Sequence, residues 1–312
     1  DIFHNLHLFA NPIDKFRPSD KEIQRALKKK KGSNLIYFGP GVHNLPNDTL
    51  FVPSGTTVYI DGGARVYGNI FTEGAHDVNI FGRGEVHPDG RGAGVWVRRS
   101  KNVRIDGIVV SQLPIGQCDS VELTNVKSIS YYGWGDGMDV FSSSNVILDG
   151  VFCRNSDDCA AVYASTQGFK GGSNNVLVKN ATLWADVAHP INIGGHGDPN
   201  GMDTVQNVTF RNIDILDQAE NQIDYQGCLA INPGDNTLVR NITFENIRIE
   251  DFRNGQLVNF RISFNPKYCV STGRGIQNVL VKDVTYNGSG ENLSIIAGYD
   301  ENHKIFGIRF VN

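Results

Sequence analysis

Short runs of alternating apolar and polar residues recur along most of the chain, and each opens on Asn or Asp. They read Asp77-Val78-Asn79-Ile80, Asn102-Val103-Arg104-Ile105, Asn125-Val126, Asn145-Val146-Ile147-Leu148, Asn175-Val176-Leu177-Val178, Asn207-Val208-Thr209-Phe210, Asn241-Ile242-Thr243-Phe244 and Asn278-Val279-Leu280-Val281. Their starts lie 25, 23, 20, 30, 32, 34 and 37 residues apart. A period of two in Val, Ile, Leu and Phe predicts short strands, and recurrence at this spacing predicts a repeat architecture. A strand-only repeat of this length suits an all-β fold, a right-handed parallel β-helix in which each coil stacks on the next. The Asn before each strand is expected to bond backbone at a turn, and stacked Asn side chains to bond one another. A β-propeller needs longer blades with a Trp-Asp signature and a leucine-rich repeat needs Leu at fixed offsets; neither pattern is present.

One segment departs from the strand pattern. Ser19-Asp20-Lys21-Glu22 is a capping box, which predicts a helix to about Lys30, ending near Gly32 and covering the first coil. The expected organisation is an N-terminal segment with capping helix over 1–34 and a β-helix over 35–312. Asp1 to Pro18 reads as a strand and linker tail, and Ile305–Phe310 as one more strand. Both termini therefore suggest a piece of something longer, with a further domain once attached at the N-terminus. Coils lengthen after residue 145 through Tyr163 to Asn174 and His196 to Gln206, insertions of the kind that wall a binding groove.

Composition narrows the picture modestly. The chain has 312 residues and net charge -4, which gives no electrostatic reason to expect nucleic acid. No apolar run reaches membrane-span length. The basic run Lys28 to Lys31 suits the end of a helix. Five cysteines, an odd number with no metal spacing, predict buried thiols at Cys153 and Cys159. The start at Asp1 reads as a mature or trimmed product, and a secreted or periplasmic location is expected.

Candidate chemistry is concentrated in two stretches, Gly135-Asp136-Gly137-Met138-Asp139 and Asn155-Ser156-Asp157-Asp158-Cys159. Asp136 and Asp157 are 21 residues apart, close to one coil, so stacking about 4.8 Å apart makes them neighbours. Strict alternation would send one of Asp157 and Asp158 inward. Because a buried unpaired carboxylate is costly, the strand is expected to bend or end there with both exposed. Crowded carboxylates keep one proton, which equips one of them as a general acid beside ionised neighbours.

Taken in order, Asp136-Gly137-Met138-Asp139, Asp157-Asp158-Cys159 and Gly195-His196-Gly197 resemble the signature of polygalacturonases and the related dextranase/isopullulanase enzymes. The resemblance extends from Phe38-Gly39-Pro40-Gly41 to the last coils. It implies inverting hydrolysis of a polysaccharide or oligosaccharide, with Asp157 as general acid. Asp136 and Asp158 would hold and deprotonate the water, and His196 would tune the acid or touch substrate. Inversion asks for carboxyl groups about 6.5–9.5 Å apart, with no metal and no cofactor.

The chain departs from the polygalacturonase pattern where that family carries Arg-Ile-Lys for the substrate carboxylate. Ala230-Ile231-Asn232 stands here instead, without the cations that give such a site its selectivity. Trp134-Gly135 replaces the usual Asn-Thr, and Ala188-His189-Pro190-Ile191-Asn192 is closer to the dextranase side. These differences point to a neutral glycan such as an α-glucan, or to a sugar read by other cations such as Arg261 or Lys267. Expected substrate contacts are Trp134, Asp139, His189, Asn232 and Lys267, with Trp184 and Asp186 as further candidates. A polysaccharide lyase and a non-catalytic carbohydrate-binding solenoid remain the alternatives.

Overall fold

A computed structural model describes residues 5–28, 33–223, 225–289 and 292–312. The strands form a continuous parallel arrangement in which each coil pairs with the coils before and after it. This is the expected parallel β-helix, right-handed as parallel crossovers are. The interior is a ladder of like residues. On the front sheet Val97, Ile115, Val140, Val162, Ile193, Ile231 and Phe260 stack in register, and each is essentially inaccessible to solvent.

The recurrent Asn is explained by backbone geometry. Asp77, Asn102, Asn145, Asn175, Asn207, Asn241 and Asn278 all have φ between 54° and 57°, a left-handed conformation that Asn and Asp tolerate better than other side chains. Their amides climb from coil to coil: Asn175 donates to Asn145 at 2.7 Å, Asn241 to Asn207 at 3.1 Å and Asn278 to Asn241 at 3.3 Å. A second ladder, Asn180 to Asp149 and Asn212 to Asn180, both at 2.7 Å, marks the next corner.

One repeat was misplaced by the sequence pattern. Val121 pairs with Val103 and Val146, so the residue in line with the other starts is Ser120 (φ 60°). Asn125 belongs to the second corner, where its N–H donates to Asp149.

The helix spans Asp20–Leu27 with the capping box formed and Lys28 as C-cap. The expected extension to Lys30, the stop near Gly32 and the rest of the basic run lie outside the described residues. Residues 5–18 contain no strand, and the first four residues of the expected strand and linker tail lie outside the described residues. They lie along the outside of the coils, with Phe9 against Phe152 (5.1 Å), Asp14 accepting from the Tyr59 hydroxyl (2.6 Å) and Phe16 stacked on Phe81 (4.3 Å). Lys304–Val311 does add the expected last strand, paired with Gly275–Asn287. All five cysteines are free and buried.

Outward positions of the front sheet form the floor of a groove in two columns. One runs Trp96, Asp139, Ala161, Asn192, Ala230, Asn259; the other runs Arg98, Gly116, Phe141, Tyr163, Gly194, Asn232, Arg261. Successive rungs pair Arg98 with Gly116, Gly116 with Phe141, Phe141 with Tyr163 and Ala161 with Asn192.

Candidate active site

The carboxylates enter the groove where three front-sheet strands begin. Val140 pairs with Val162, and Ala160 with Ile191. Carried back along the chain, this register sets Asp136 opposite Asp158 and Asp158 opposite His189, on three successive coils. Backbone bonds hold the stack: Gly137 N–H donates to the Asp158 carbonyl at 2.7 Å and Cys159 N–H to the His189 carbonyl at 2.9 Å. The coils approach so closely that a Cβ on Gly137 would lie 2.2 Å from the Cys159 carbonyl oxygen, so glycine is required there. Asn155 is fully buried and fixes the loop bearing Asp136, donating to Ser128 Oγ (3.0 Å), Ser130 Oγ (3.1 Å) and the Asp136 carbonyl (3.0 Å).

Asp136, Asp157 and Asp158 each place a carboxylate oxygen within 4.8 Å of the others. The strand begins at Ala160, so the expected interruption at the Asp pair is present. Asp158 is nevertheless buried (6% exposed) rather than exposed. Its burial is compensated by donors: His189 N–H at 3.1 Å and Nδ1 at 2.7 Å on one oxygen, and Tyr163 Oη at 2.6 Å and Asn192 Nδ2 at 2.8 Å on the other. Burial works to raise its pKa, but the His189 charge and these hydrogen bonds outweigh it and hold the group at about 2.

The other two carboxyls move the opposite way. Burial, and then the Asp158 charge, push Asp157 up to about 7. Burial, followed by the charges of Asp157 and Asp158, raises Asp136 well above the carboxylate range. His189 is the counter-ion. Burial lowers its pKa, but Asp158 overrides burial and lifts it to about 9.

The remaining expected residues divide sharply. Trp134 is 65% exposed at the groove rim, with the exposed Lys267 ammonium 5.8 Å from its ring centre. Asp139 and Asn232 are buried (4% and 3% exposed), which corrects their assignment as direct substrate contacts. Asn232 donates instead to Asn259 Oδ1 (3.1 Å) and the Arg261 carbonyl (3.2 Å). His189 is also buried, and both ring nitrogens have partners, Asp158 and the Tyr225 carbonyl. It is therefore placed to hold the carboxylate rather than a sugar. His196 packs edge-on against Tyr163 at 5.0 Å, with burial lowering its pKa. It sits behind Tyr163, whereas His189 bonds the carboxylate directly. Trp184 and Asp186 are engaged by Arg154, which stacks 4.2 Å from the indole and pairs with Asp186 at 2.9 Å.

Tyr163 and Asn192 were missed by sequence reasoning. The available signal was their alternation in Ala160–Tyr163 and Ile191–Ile193, which turns both toward the groove. The three aspartates could offer a cation three oxygens. Calcium takes six to eight, and both oxygens of Asp158 already accept two hydrogen bonds each. The donor set therefore suits proton chemistry better than metal binding.

Residues 84–308 match the model of glycosyl hydrolases family 28. Among curated proteins, an exopolygalacturonase of Cochliobolus carbonum is 24% identical over 206 residues, covering 58% of this chain and 44% of its own length. An endopolygalacturonase of Emericella nidulans is 25% identical over 296 residues, covering 82% of this chain and 72% of its own. The chain thus spans less than half of the first relative. Among solved structures, a family 28 exopolygalacturonase of Yersinia enterocolitica superposes with TM-score 0.73 at 16% identity, over 92% of this chain and 66% of its own. Endo-xylogalacturonan hydrolase from Aspergillus tubingensis gives 0.62 at 16% identity, over 93% and 87%. At that identity the structures show the fold alone.

Proposed function

We infer from two facts together, that the chain belongs to the glycosyl hydrolases of family 28 and that it gathers three carboxyls of unequal proton affinity, that it hydrolyses glycosidic bonds of a polysaccharide with inversion. The observation carrying this reading is the split within the cluster, with Asp158 held ionised at about 2 and Asp157 raised to about 7. Neighbouring carboxyls whose surroundings push their pKa values apart are suited to acid and base roles.

Asp157 is the general acid, protonating the leaving oxygen. Asp136 is the base that takes a proton from water, because burial makes its carboxylate more basic. Asp158 has all its acceptor positions filled and acts as a fixed negative charge that orients the water and stabilises positive charge developing on the sugar. The nearest carboxylate oxygens lie within 4.8 Å of one another, closer than the separation of about 6.5–9.5 Å usual for inverting carboxyl pairs. Inversion is favoured because the chain belongs to the glycosyl hydrolases of family 28, which invert; in either mechanism Asp136 must be ionised when it acts. In the stereochemical test, proton NMR of the first product follows the anomer released. A product of inverted configuration, with sugar release abolished in Asp157→Asn, is expected. Retained configuration would overturn the base assignment, and an unsaturated, ultraviolet-absorbing product would replace hydrolysis by elimination.

The substrate differs from unsubstituted galacturonan. Beyond the carboxylates the outward front-sheet positions Asn192, Ala230, Asn232 and Asn259 are uncharged and buried, so no cation projects from them. On this side of the carboxylates, Arg261 follows Asn232 in the outward column and Lys267 stands at the rim. This floor supports a neutral glycan or a substituted acidic one. The curated relatives include proteins named endo-xylogalacturonan hydrolase, 29% identical over 168 residues in Neosartorya fischeri.

A further inference from the structure

The groove is asymmetric along the solenoid. Past Asp158, toward the C-terminal coils, its outward side chains are small or uncharged as far as Asn232 and Asn259, with Arg261 beyond them. In the other direction the floor is occupied. The segment between Ala160–Tyr163 and Ser173–Ala185 folds back on itself, with Phe169 N–H donating to the Thr166 carbonyl at 2.8 Å. This turn lays the Phe169 ring on Gly116. A Cβ on Gly116 would lie 2.3 Å from that ring, so the missing side chain is what makes room for it.

Phe169 is 2% exposed. It stacks on Phe141 at 6.2 Å, and Phe141 on Tyr163 at 5.9 Å with the rings 7° from parallel. Tyr163 in turn donates to Asp158. The aromatic column thus leads from the ionised carboxylate to the ring that fills the groove.

The turn is held in place rather than merely resting there. Arg98 and Arg99 lie 5.8 and 5.0 Å from the Phe169 ring centre. Both guanidinium groups are paired with Glu73, at 3.0 and 3.1 Å. Arg99 also donates to the Gly168 carbonyl at 3.3 Å, and Ser165 Oγ accepts from Gly171 N–H at 2.8 Å. On the opposite wall, Tyr132 ties the loop at Gly92 to the loop bearing Trp134, bonding both the Gly92 N–H (3.0 Å) and its carbonyl (2.5 Å).

Gly116, Phe141 and Tyr163 occupy successive rungs, so the filled position lies two rungs, roughly 10 Å, from Tyr163. A polymer lying along the sheet meets Phe169 soon after passing the carboxyls. We propose that the 164–172 turn ends the groove, so that the enzyme holds a chain terminus between Phe169 and the aspartates and releases short products from that end. The proposal rests on the hydrolase reading and adds the mode of attack to it.

The test follows viscosity and product size together on xylogalacturonan and on a neutral α-glucan, with polygalacturonate for comparison and bonds cleaved counted as new reducing ends. Wild type is expected to release only short products while viscosity is nearly retained. Its initial rate at equal polymer mass should rise in proportion to the number of chain ends when the polymer is sheared beforehand. Replacing residues 166–170 by two glycines, or Phe169→Ala, should admit internal cleavage and lower viscosity faster per bond. Early collapse of viscosity with wild type, at a rate independent of chain length, would overturn the proposal without touching the hydrolase reading. Asp157→Asn is run alongside: sugar release equal to wild type would remove Asp157 from the acid role, whereas no release of reducing ends by wild type from any of the polymers would defeat the hydrolase reading instead. The chain-length dependence of wild type decides the mode of attack even if neither loop variant folds.

Discussion

His189 donates from both ring nitrogens, Nδ1 to the Asp158 carboxylate at 2.7 Å and Nε2 to the Tyr225 carbonyl. Both partners are acceptors only, so satisfying the two contacts at once requires the imidazolium form. The site therefore has an ion pair built across adjacent coils. Because the His189 pKa is raised from 6.5 to about 9 in the fold, its stabilising contribution is fully present below pH 6.5 and is lost as pH rises through about 9. Melting temperature measured between pH 6 and 10 should fall over that window in wild type. In His189→Gln the fall should be much shallower, starting from a lower value. An equally steep fall in the variant would show that another group titrates there.

Asp157 gives a second pH signature. Its carboxyl, raised to about 7, must carry its proton to protonate a leaving group, so kcat should decline as pH rises through about 7. Asp157→Asn should lower kcat by roughly 10²–10⁴-fold, the range of general acid catalysis. The linkage has the opposite consequence for stability. A carboxyl whose pKa is raised stabilises the fold below its ordinary pKa of 3.8, and that contribution is lost as pH rises through about 7. The variant should therefore melt above wild type at pH 8. A kcat profile flat from pH 5 to 9 would remove Asp157 from the acid role.

Gly137 tests the spacing of the coils. Its hypothetical Cβ meets the Cys159 carbonyl oxygen at 2.2 Å and Asn155 Oδ1 at 2.6 Å. Backbone on one side and a buried amide on the other leave nothing to yield cheaply. Gly137→Ala should destabilise by about 1–3 kcal/mol, as overpacking does, and should reduce kcat because the clash separates Asp136 from Asp157. Chemical denaturation and activity measured on the same preparation check both effects. Unchanged stability would mean that the loop bends freely, and Asp136 would not be rigidly placed.

How much of this was legible in the sequence follows from where the information is held. The corner Asn residues announce themselves because a left-handed backbone restricts residue choice, so the β-helix could be read from Asn145, Asn175, Asn207, Asn241 and Asn278 alone. Ser120 adopts the same conformation without the same signature, and Asn125 took its place in the pattern. The aspartate cluster was legible because two motifs fell one coil apart. The histidine partner was not. Gly195-His196-Gly197 attracted attention, but contact with Asp158 is decided by register, and the intervening loops vary too much in length to count it. Asp139 and Asn232 were assigned to the groove by motif and by strand position. The structure buries both, Asn232 with its amide on Asn259 and the Arg261 carbonyl, a packing effect that no single strand records. The Phe169 turn depends on a glycine 53 positions earlier, at Gly116, a pairing visible only after folding.

Trp134 and Lys267 approach each other from different loops and stand at the rim beside the acid. Trp134 is 65% exposed, so its substitution should leave stability within about 0.5 kcal/mol, as surface changes do. If a sugar stacks on the indole, Trp134→Ala should raise KM several-fold while the melting temperature stays put. Lys267 distinguishes the two classes of substrate. Its ammonium lies 5.8 Å from the Trp134 ring and 4.7 Å from the Tyr268 ring, a position from which it can meet a carboxylate on a stacked sugar. With an acidic polymer, Lys267→Met should weaken binding more strongly at low salt than at high salt, because exposed charge pairs are screened. The loss should disappear when the polymer carboxyls are methyl-esterified. With a neutral glycan the substitution should change KM little at either ionic strength. Comparing KM for wild type and Lys267→Met on xylogalacturonan and its methyl ester, at two salt concentrations, separates these cases. An equal loss on both polymers would make Lys267 a packing partner of Trp134 rather than a reader of charge.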